Sequence, residues 1–292
     1  GTLHGIKAYT GHLPLSVNHS SGHLLTQQSP PQLWHVRDQP LAEVWTGSDE
    51  GWSCHFLSDI TLLARGGRDS CTLYDVSNPR DPKVLPPSFT KGHTVSAVHL
   101  AGGLIASAYS RNSLTTPEAV LELWQSTKDG VVKKWSRPAE LKNGGTMHLD
   151  FDESGARLLR TLPQPRNRLI IHDTRTGGVI HEFKQEAYKA IFAGTRGAII
   201  AISSELQPDN TQKGTITRID SETGHILASH DHDSALYALA ASPDRRLVAV
   251  GGSDRFVMIF DADTLAVKHR FRAHDATIST ACFHPTQPIL AT

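Results

Sequence analysis

Six times along this chain a short apolar run ends in an aromatic or apolar residue followed by a polar one, usually Asp. The six are Leu33-Trp34-His35, Leu73-Tyr74-Asp75, Leu123-Trp124-Gln125, Ile171-His172-Asp173, Arg218-Ile219-Asp220 and Ile259-Phe260-Asp261. Their central residues lie 40, 50, 48, 47 and 41 positions apart. Such a recurrence constrains the fold strongly. Each unit lacks a core of its own and buries its faces on its neighbours. A period in the forties is too long for leucine-rich or ankyrin units and has room for four short strands with their turns.

The sequence divides that way. In the unit around Phe260 the strands are expected near 234–241, 246–251, 255–261 and 265–271. The first has no polar alternation, so both faces should be buried. The third is bulky and apolar, which suits a sandwich between neighbouring units. Ser242-Pro243-Asp244-Arg245 is a turn, with Pro presetting φ and Asp capping locally. The expected fold class is all-β: a β-propeller of four-stranded antiparallel blades with seven blade positions, six complete and one partial. Complete blades are expected at 13–50, 51–91, 92–142, 143–186, 187–230 and 231–272, within 13–272. Residues 1–12 would supply the last strand of the closing blade and 273–292 its beginning, with 277–283 and 288–292 as first and second strands. The chain begins with Gly and stops at Ala291-Thr292 in mid-pattern. It reads as a piece of a longer protein that continues through the missing third strand. No run of a dozen residues has a helical period.

The best copy, from His232 to Ala273, resembles the WD-repeat family. Its Ala-Ala-Ser-Pro-Asp turn, Gly251-Gly252-Ser253-Asp254 turn and Ile259-Phe260-Asp261 match that pattern in order and spacing. Gly11-His12 and Gly92-His93 look like the family's Gly-His pair, whereas Asn143-Gly144-Gly145 stands where another is expected. The resemblance covers nearly the whole chain through degenerate copies. It implies a structural network of a link His, a second-strand Ser or Thr, a turn Asp and a third-strand Trp. The residues it assigns to this repeat signature are His12, Trp34, Tyr74, His93, Ser107, Trp124, Asp173, Asp220, Asp254, Phe260, Asp261 and His274.

Charge is balanced, with 29 basic and 29 acidic residues and no long run of one sign. That argues against a dedicated basic surface for phosphates, and no nucleic-acid partner is expected. No stretch of about 18 apolar residues suggests a membrane span. Cys54, Cys71 and Cys282 have no metal-like spacing and read as strand residues of a reducing, cytoplasmic protein. His230-Asp231-His232-Asp233 is the densest polar cluster. It reads as a solvated link between blades, without a second His cluster to complete a metal site. Neither a nucleophile elbow nor a Gly-rich phosphate loop is present. No catalytic residue, metal or cofactor is assigned.

The turns between second and third strands are long in three consecutive units, at 109–118, 162–167 and 204–213. Irregular loops on a rigid scaffold carry recognition. By the family resemblance, these turns share a face with the links between blades. The expectation is a non-catalytic, monomeric scaffold that binds a protein or peptide there. The candidate contacts are Tyr109, Arg111, Asn112, Leu114, Arg166, Asn167, Gln207, Asp209 and Asn210, because aromatic and Arg side chains dominate interface energy. Arg166-Asn167-Arg168 also reads as a plain solvated turn. Two alternatives stand beside this. One is a lactonase-like or quinoprotein-like propeller enzyme, which would need acidic or His side chains such as His148 and Asp150 in the channel. The other is the sensor half of a signalling enzyme whose catalytic domain lies outside this piece.

Overall fold

The structure is a computed structural model. It describes residues 148–162 and 168–283 continuously. Outside them it describes 15–17, 23–26, 32–35, 42–46, 53–56, 61–65, 71–75, 77–78, 81, 83–85, 93–99, 101–111, 118–127, 130–138 and 290–292. The first sheet holds β1 (Leu15–Val17), β2 (His23–Thr26), β3 (Gln32–His35) and β4 (Ala42–Thr46). The second holds β5 (Ser53–Phe56), β6 (Thr61–Arg65), β7 (Cys71–Asp75) and β8 (Lys83–Leu85). The third holds β9 (His93–His99), β10 (Leu104–Arg111), β11 (Glu118–Thr127) and β12 (Gly130–Pro138). The fourth holds β13 (His148–Phe151), β14 (Arg157–Leu162), β15 (Arg168–Asp173) and β16 (Val179–Lys184). The fifth holds β17 (Lys189–Ala193), β18 (Ala198–Leu206), β19 (Gln212–Ile219) and β20 (Ile226–His232). The sixth holds β21 (Leu236–Ala241), β22 (Leu247–Gly252), β23 (Phe256–Asp261) and β24 (Val267–Arg272). A two-stranded sheet of β25 (Cys282–Phe283) and β26 (Leu290–Ala291) follows.

Each four-stranded sheet is an antiparallel meander in sequence order. The first strands touch in turn: β1 with β5, β5 with β9, then β13, β17, β21 and β25, and β25 touches β1 again. Seven sheets therefore close into a ring, with first strands innermost. The closing strand expected within residues 1–12 lies outside the described residues.

Apolar runs without alternation build this ring because both faces of each sheet are covered. In β18, Ile200 and Ile202 pack with Leu236, Val248, Met258 and Phe260 of the sixth sheet. The intervening Ile199 and Ala201 pack with Leu159, Leu169 and Ile171 of the fourth. Successive strand residues point to opposite faces, so one run feeds two interfaces. Trp135 also bridges sheets, donating its indole N–H to the carbonyl of Thr174 at 2.7 Å.

The recurring third-strand position is equivalent throughout. Trp34, Tyr74, Trp124, His172, Ile219 and Phe260 pair with second-strand Leu24, Leu62, Ile105, Leu158, Ile199 and Val248. In five of the six sheets the pairing with the fourth strand shifts register just before that residue. A bulge re-aims the side chain at the end of a strand. Among the described residues the one helical turn is a 3-10 turn, Thr195–Gly197.

Candidate functional site

In a meander, turns joining first to second and third to fourth strands share one rim. The opposite rim carries the second-to-third turns and the links between sheets. The strand order thus places the turns after β10, β14 and β18 on the link-bearing rim of three consecutive sheets. Two of those turns are shorter than the sequence suggests. Tyr109 and Arg111 belong to β10 and Glu118 to β11, while β18 and β19 extend to Leu206 and Gln212. The hairpins lengthen because inter-strand hydrogen bonding continues through polar residues, such as Ser204 opposite Gly214. Asn112, Leu114, Arg166 and Asn167 lie outside the described residues, as does His12.

In the turn at 207–211, the Asp209 carboxylate accepts hydrogen bonds from the Thr211 amide at 3.0 Å and hydroxyl at 2.6 Å. These bonds hold its pKa below the ordinary value. Asn210 takes a left-handed φ of 68°, a conformation that Asn tolerates. Gln207 donates to the Glu205 carboxylate at 3.4 Å. Next to this turn, Gln212 accepts from the Tyr237 hydroxyl at 3.2 Å. Tyr237 meets Tyr188 edge to face, with ring centroids 6.2 Å apart. The Lys189 amine lies 5.8 Å from the Tyr188 ring centre. The turn is therefore continuous with an aromatic and cationic patch where first strands begin. Sequence reasoning missed Tyr188, Lys189 and Tyr237. Their only sequence signal is a polar-tipped residue at the head of an otherwise apolar first strand.

The repeat signature is distributed rather than repeated in full. Trp124, 2% exposed, donates its indole N–H to the Ser107 hydroxyl at 3.3 Å. His232 Nε2 donates to Asp254 at 3.1 Å, and His274 Nε2 donates to the Thr292 carbonyl at 2.9 Å. Phe260 is fully buried, and Tyr74 is buried at the equivalent position. Trp34 and His93 lie on β3 and β9. Asp75, Asp173, Asp220 and Asp261 follow their anchors and accept amide hydrogen bonds from the turn, as from Thr223 to Asp220 at 2.8 Å. Hydrogen bonds from the amide and hydroxyl of Ser77, Thr176, Thr223 and Thr264 lower the pKa of these four carboxyls respectively, the amide leading except at Asp261, where the Thr264 hydroxyl leads.

The His230-Asp231-His232-Asp233 cluster differs from the expected link. His230, Asp231 and His232 belong to β20 and pair with Ile216, Thr215 and Gly214. The long β19 gives β20 a partner for those residues, so the chain stays extended. Alternation turns both histidines toward the sixth sheet. The His230 ring packs edge-on against Phe260 at 5.1 Å, and His232 meets Asp254. They line a cleft of about 370 Å³ with Ser234, Met258 and Arg270. Among the described residues no three of His, Cys, Asp or Glu converge on one metal position.

On the other rim, Arg245 reaches across three sheets. It donates to the Phe192 carbonyl at 2.6 Å, to the Phe151 carbonyl at 3.1 Å and to the Asp150 carboxylate at 3.1 Å. Asp150 also accepts the Phe192 amide at 2.8 Å. Burial raises the Asp150 pKa, with Arg245 opposing. His148 Nδ1 donates to the Ala190 carbonyl at 2.9 Å. Both channel residues singled out for an enzyme are thus engaged with backbone. Burial pushes the free Cys282 thiol up to about 11, which keeps it protonated and a poor nucleophile.

Four-stranded antiparallel sheets whose first strands close a ring, with aromatic anchors on the third strands, define a WD40-like β-propeller. No family profile matches the sequence. The chain is 33% identical over 61 residues to the U5 small nuclear ribonucleoprotein 40 kDa protein of Mus musculus, and 33% identical over 64 residues to that of Dictyostelium discoideum. Those stretches are 21% and 22% of this chain, and span only 17% and 18% of the relatives' lengths. Among solved structures, Saccharomyces cerevisiae Sqt1 matches with a TM-score of 0.65 and 15% identity, over 93% of this chain and 77% of that one. Chaetomium thermophilum Sqt1, bound to the N-terminus of the ribosomal protein L10, matches with a TM-score of 0.66 and 14% identity, over 92% and 77%. At such identities the likeness is one of fold.

Proposed function

We propose that this propeller is a non-catalytic scaffold that holds a segment of a partner protein on its link-bearing rim. The observation that carries this reading is the continuity from the turn at 207–211 through Gln212 and Tyr237 to Tyr188 and Lys189. Such a surface offers backbone-like acceptors, aromatic rings and a cation to an extended chain. Tyr188 and Tyr237 are half-buried, and tyrosine is among the usual anchors of protein interfaces. Support of a different kind comes from Chaetomium thermophilum Sqt1, a propeller of similar fold solved with the N-terminus of a ribosomal protein. Arg111, the last residue of β10, and Arg166 belong to the same proposed contact set.

The test is quantitative. A partner captured on the propeller is identified, purified and titrated calorimetrically against the unaltered chain and against Arg111→Ala/Arg166→Ala. The double replacement should weaken binding about tenfold or more if both residues are interface anchors. Its melting temperature should hardly move if both charges face solvent in the unbound chain, where a charge contributes about 0–1 kcal/mol to stability. Unchanged affinity for a verified partner would take these turns out of the binding site.

A further inference from the structure

Lys189 begins β17, the first strand of the fifth sheet. Its amine donates to the Ser279 carbonyl at 3.3 Å, just ahead of β25 in the seventh sheet. The side chain therefore ties the head of the fifth sheet's first strand to the link that leads into the seventh sheet. It lies beside the Tyr188 ring, which in turn meets Tyr237 of the sixth sheet edge to face. Among the described residues no carboxylate forms an ion pair with it, in contrast to Lys133 with Glu122 or Arg245 with Asp150. Burial lowers its pKa to about 8, and no neighbouring charge raises it again. At neutral pH the amine is still mainly a cation. A half-enclosed ammonium with one carbonyl acceptor keeps two N–H groups to offer, and a buried charge without a counter-charge is costly.

We propose that Lys189 is the receptor for an Asp or Glu side chain of the bound partner segment, seated beside the Tyr188–Tyr237 pair. This rests on the binding reading above and names the chemistry recognised. One compact cation matches one carboxylate. A nucleic-acid backbone needs a row of cations to neutralise its phosphates, and the chain has no long run of basic residues to supply one. The tyrosine rings cover the apolar stem of the acidic residue and exclude water, which strengthens the charge pair. The hydrogen bond from Tyr237 to Gln212 fixes one of the two rings.

A random peptide library displayed on phage and selected on the intact chain is the probe. Enriched peptides should share Asp or Glu at one position. Changing that residue to Gln or Asn, or changing Lys189→Met, should each weaken the peptide about tenfold or more, the range for one partner of a desolvated charge pair. Both changes together should cost no more than either alone. On the unaltered protein, the acidic peptide should shield the Lys189 amine from acetylation, read by mass spectrometry, and its amide analogue should not. This second readout stands if Lys189→Met folds poorly. Enriched peptides with no fixed acidic position, or with an acidic preference that survives Lys189→Met, overturn this inference and leave the scaffold reading intact. Better shielding of Lys189 by a short single-stranded oligonucleotide at physiological salt overturns the carboxylate assignment. Failure to enrich any peptide removes the scaffold reading and this inference with it.

Discussion

His172 shows how a single residue adapts to the anchor position of a repeat. It occupies the place held by Trp124 and Phe260 in other sheets and is 5% exposed. Its Nδ1–H donates to the Gly177 carbonyl at 3.2 Å, while its buried Nε2 has no hydrogen-bond partner among the described residues. Burial lowers its pKa to about 4, and the Arg160 charge adds to that shift. The folded pKa lies below the ordinary value of 6.5. Between those two values the unfolded chain takes up a proton that the folded one refuses, so stability falls as pH drops from about 6.5 toward about 4. The loss should reach about 3 kcal/mol, from the linkage between pKa and free energy. His172→Phe should remove this slope, as shown by denaturant unfolding of both proteins at pH 7 and pH 4.5. An identical slope in both would mean that His172 is protonated within the fold.

At the scale of the element, turns are held by their neighbours as much as by their own residues. A turn after β22 was legible in the sequence, although Gly251 and Gly252 end the strand itself, and the reason for the second glycine was not legible. A Cβ on Gly252 would lie 1.9 Å from the carbonyl oxygen of Ala235. That oxygen cannot retreat freely, because it accepts the Ser253 amide at 3.0 Å. The Gly252 carbonyl in turn accepts the Ile278 amide at 2.9 Å, tying the turn to the next sheet. Gly252→Ala should therefore cost about 1–3 kcal/mol, the range for forcing backbone to move. Ser253→Ala, on an exposed neighbour, should cost little. A thermal melt in which the two variants are equal would show that the backbone yields without strain. The glycines after the third strands answer a different need. Gly177 and Gly224 both have φ of 73°, in the left-handed region, whereas Leu265 holds the corresponding conformation at 54°. Its burial in the core of the fifth and sixth sheets offsets that conformation.

The whole molecule is held as a ring by contacts between residues far apart in sequence. Arg245 ties the sixth sheet to the fifth and fourth, and its Asp150 partner is mostly enclosed, with side chains 24% and 20% exposed. Arg245→Ala leaves that carboxylate without its cation. The cost should be about 2–3 kcal/mol, below the figure for a fully enclosed pair because both groups retain some water. Asp150→Asn in the same chain should recover part of it, since the amide carries no unpaired charge. A double-mutant cycle by chemical denaturation measures this, and additive losses would show that the two groups do not act together.

Repetition itself was readable from the amino acids. The forty-residue period, the anchors Trp34, Tyr74, Trp124, His172, Ile219 and Phe260, and the Asp residues that cap the following turns all act within one unit. Local hydrogen bonding and alternation specify them before any sheet meets another. Within units, errors arose where polar residues continue a strand: Ser204 opposite Gly214, and His230 with His232 on β20. Inter-strand pairing there overrode the low strand preference of polar residues. The proposed contact patch was only partly visible. Gln207, Asp209 and Asn210 could be marked as a turn, but Tyr188, Lys189 and Tyr237 are separated from it by strands and share a place only because sheets stack around an axis. The same holds for Arg245 and Asp150. The amino-acid sequence determined the repeating unit, since its forces act over neighbouring residues. Only the tertiary structure decided which side chains meet at the axis, because that depends on how many sheets close the ring and how each one leans on the next.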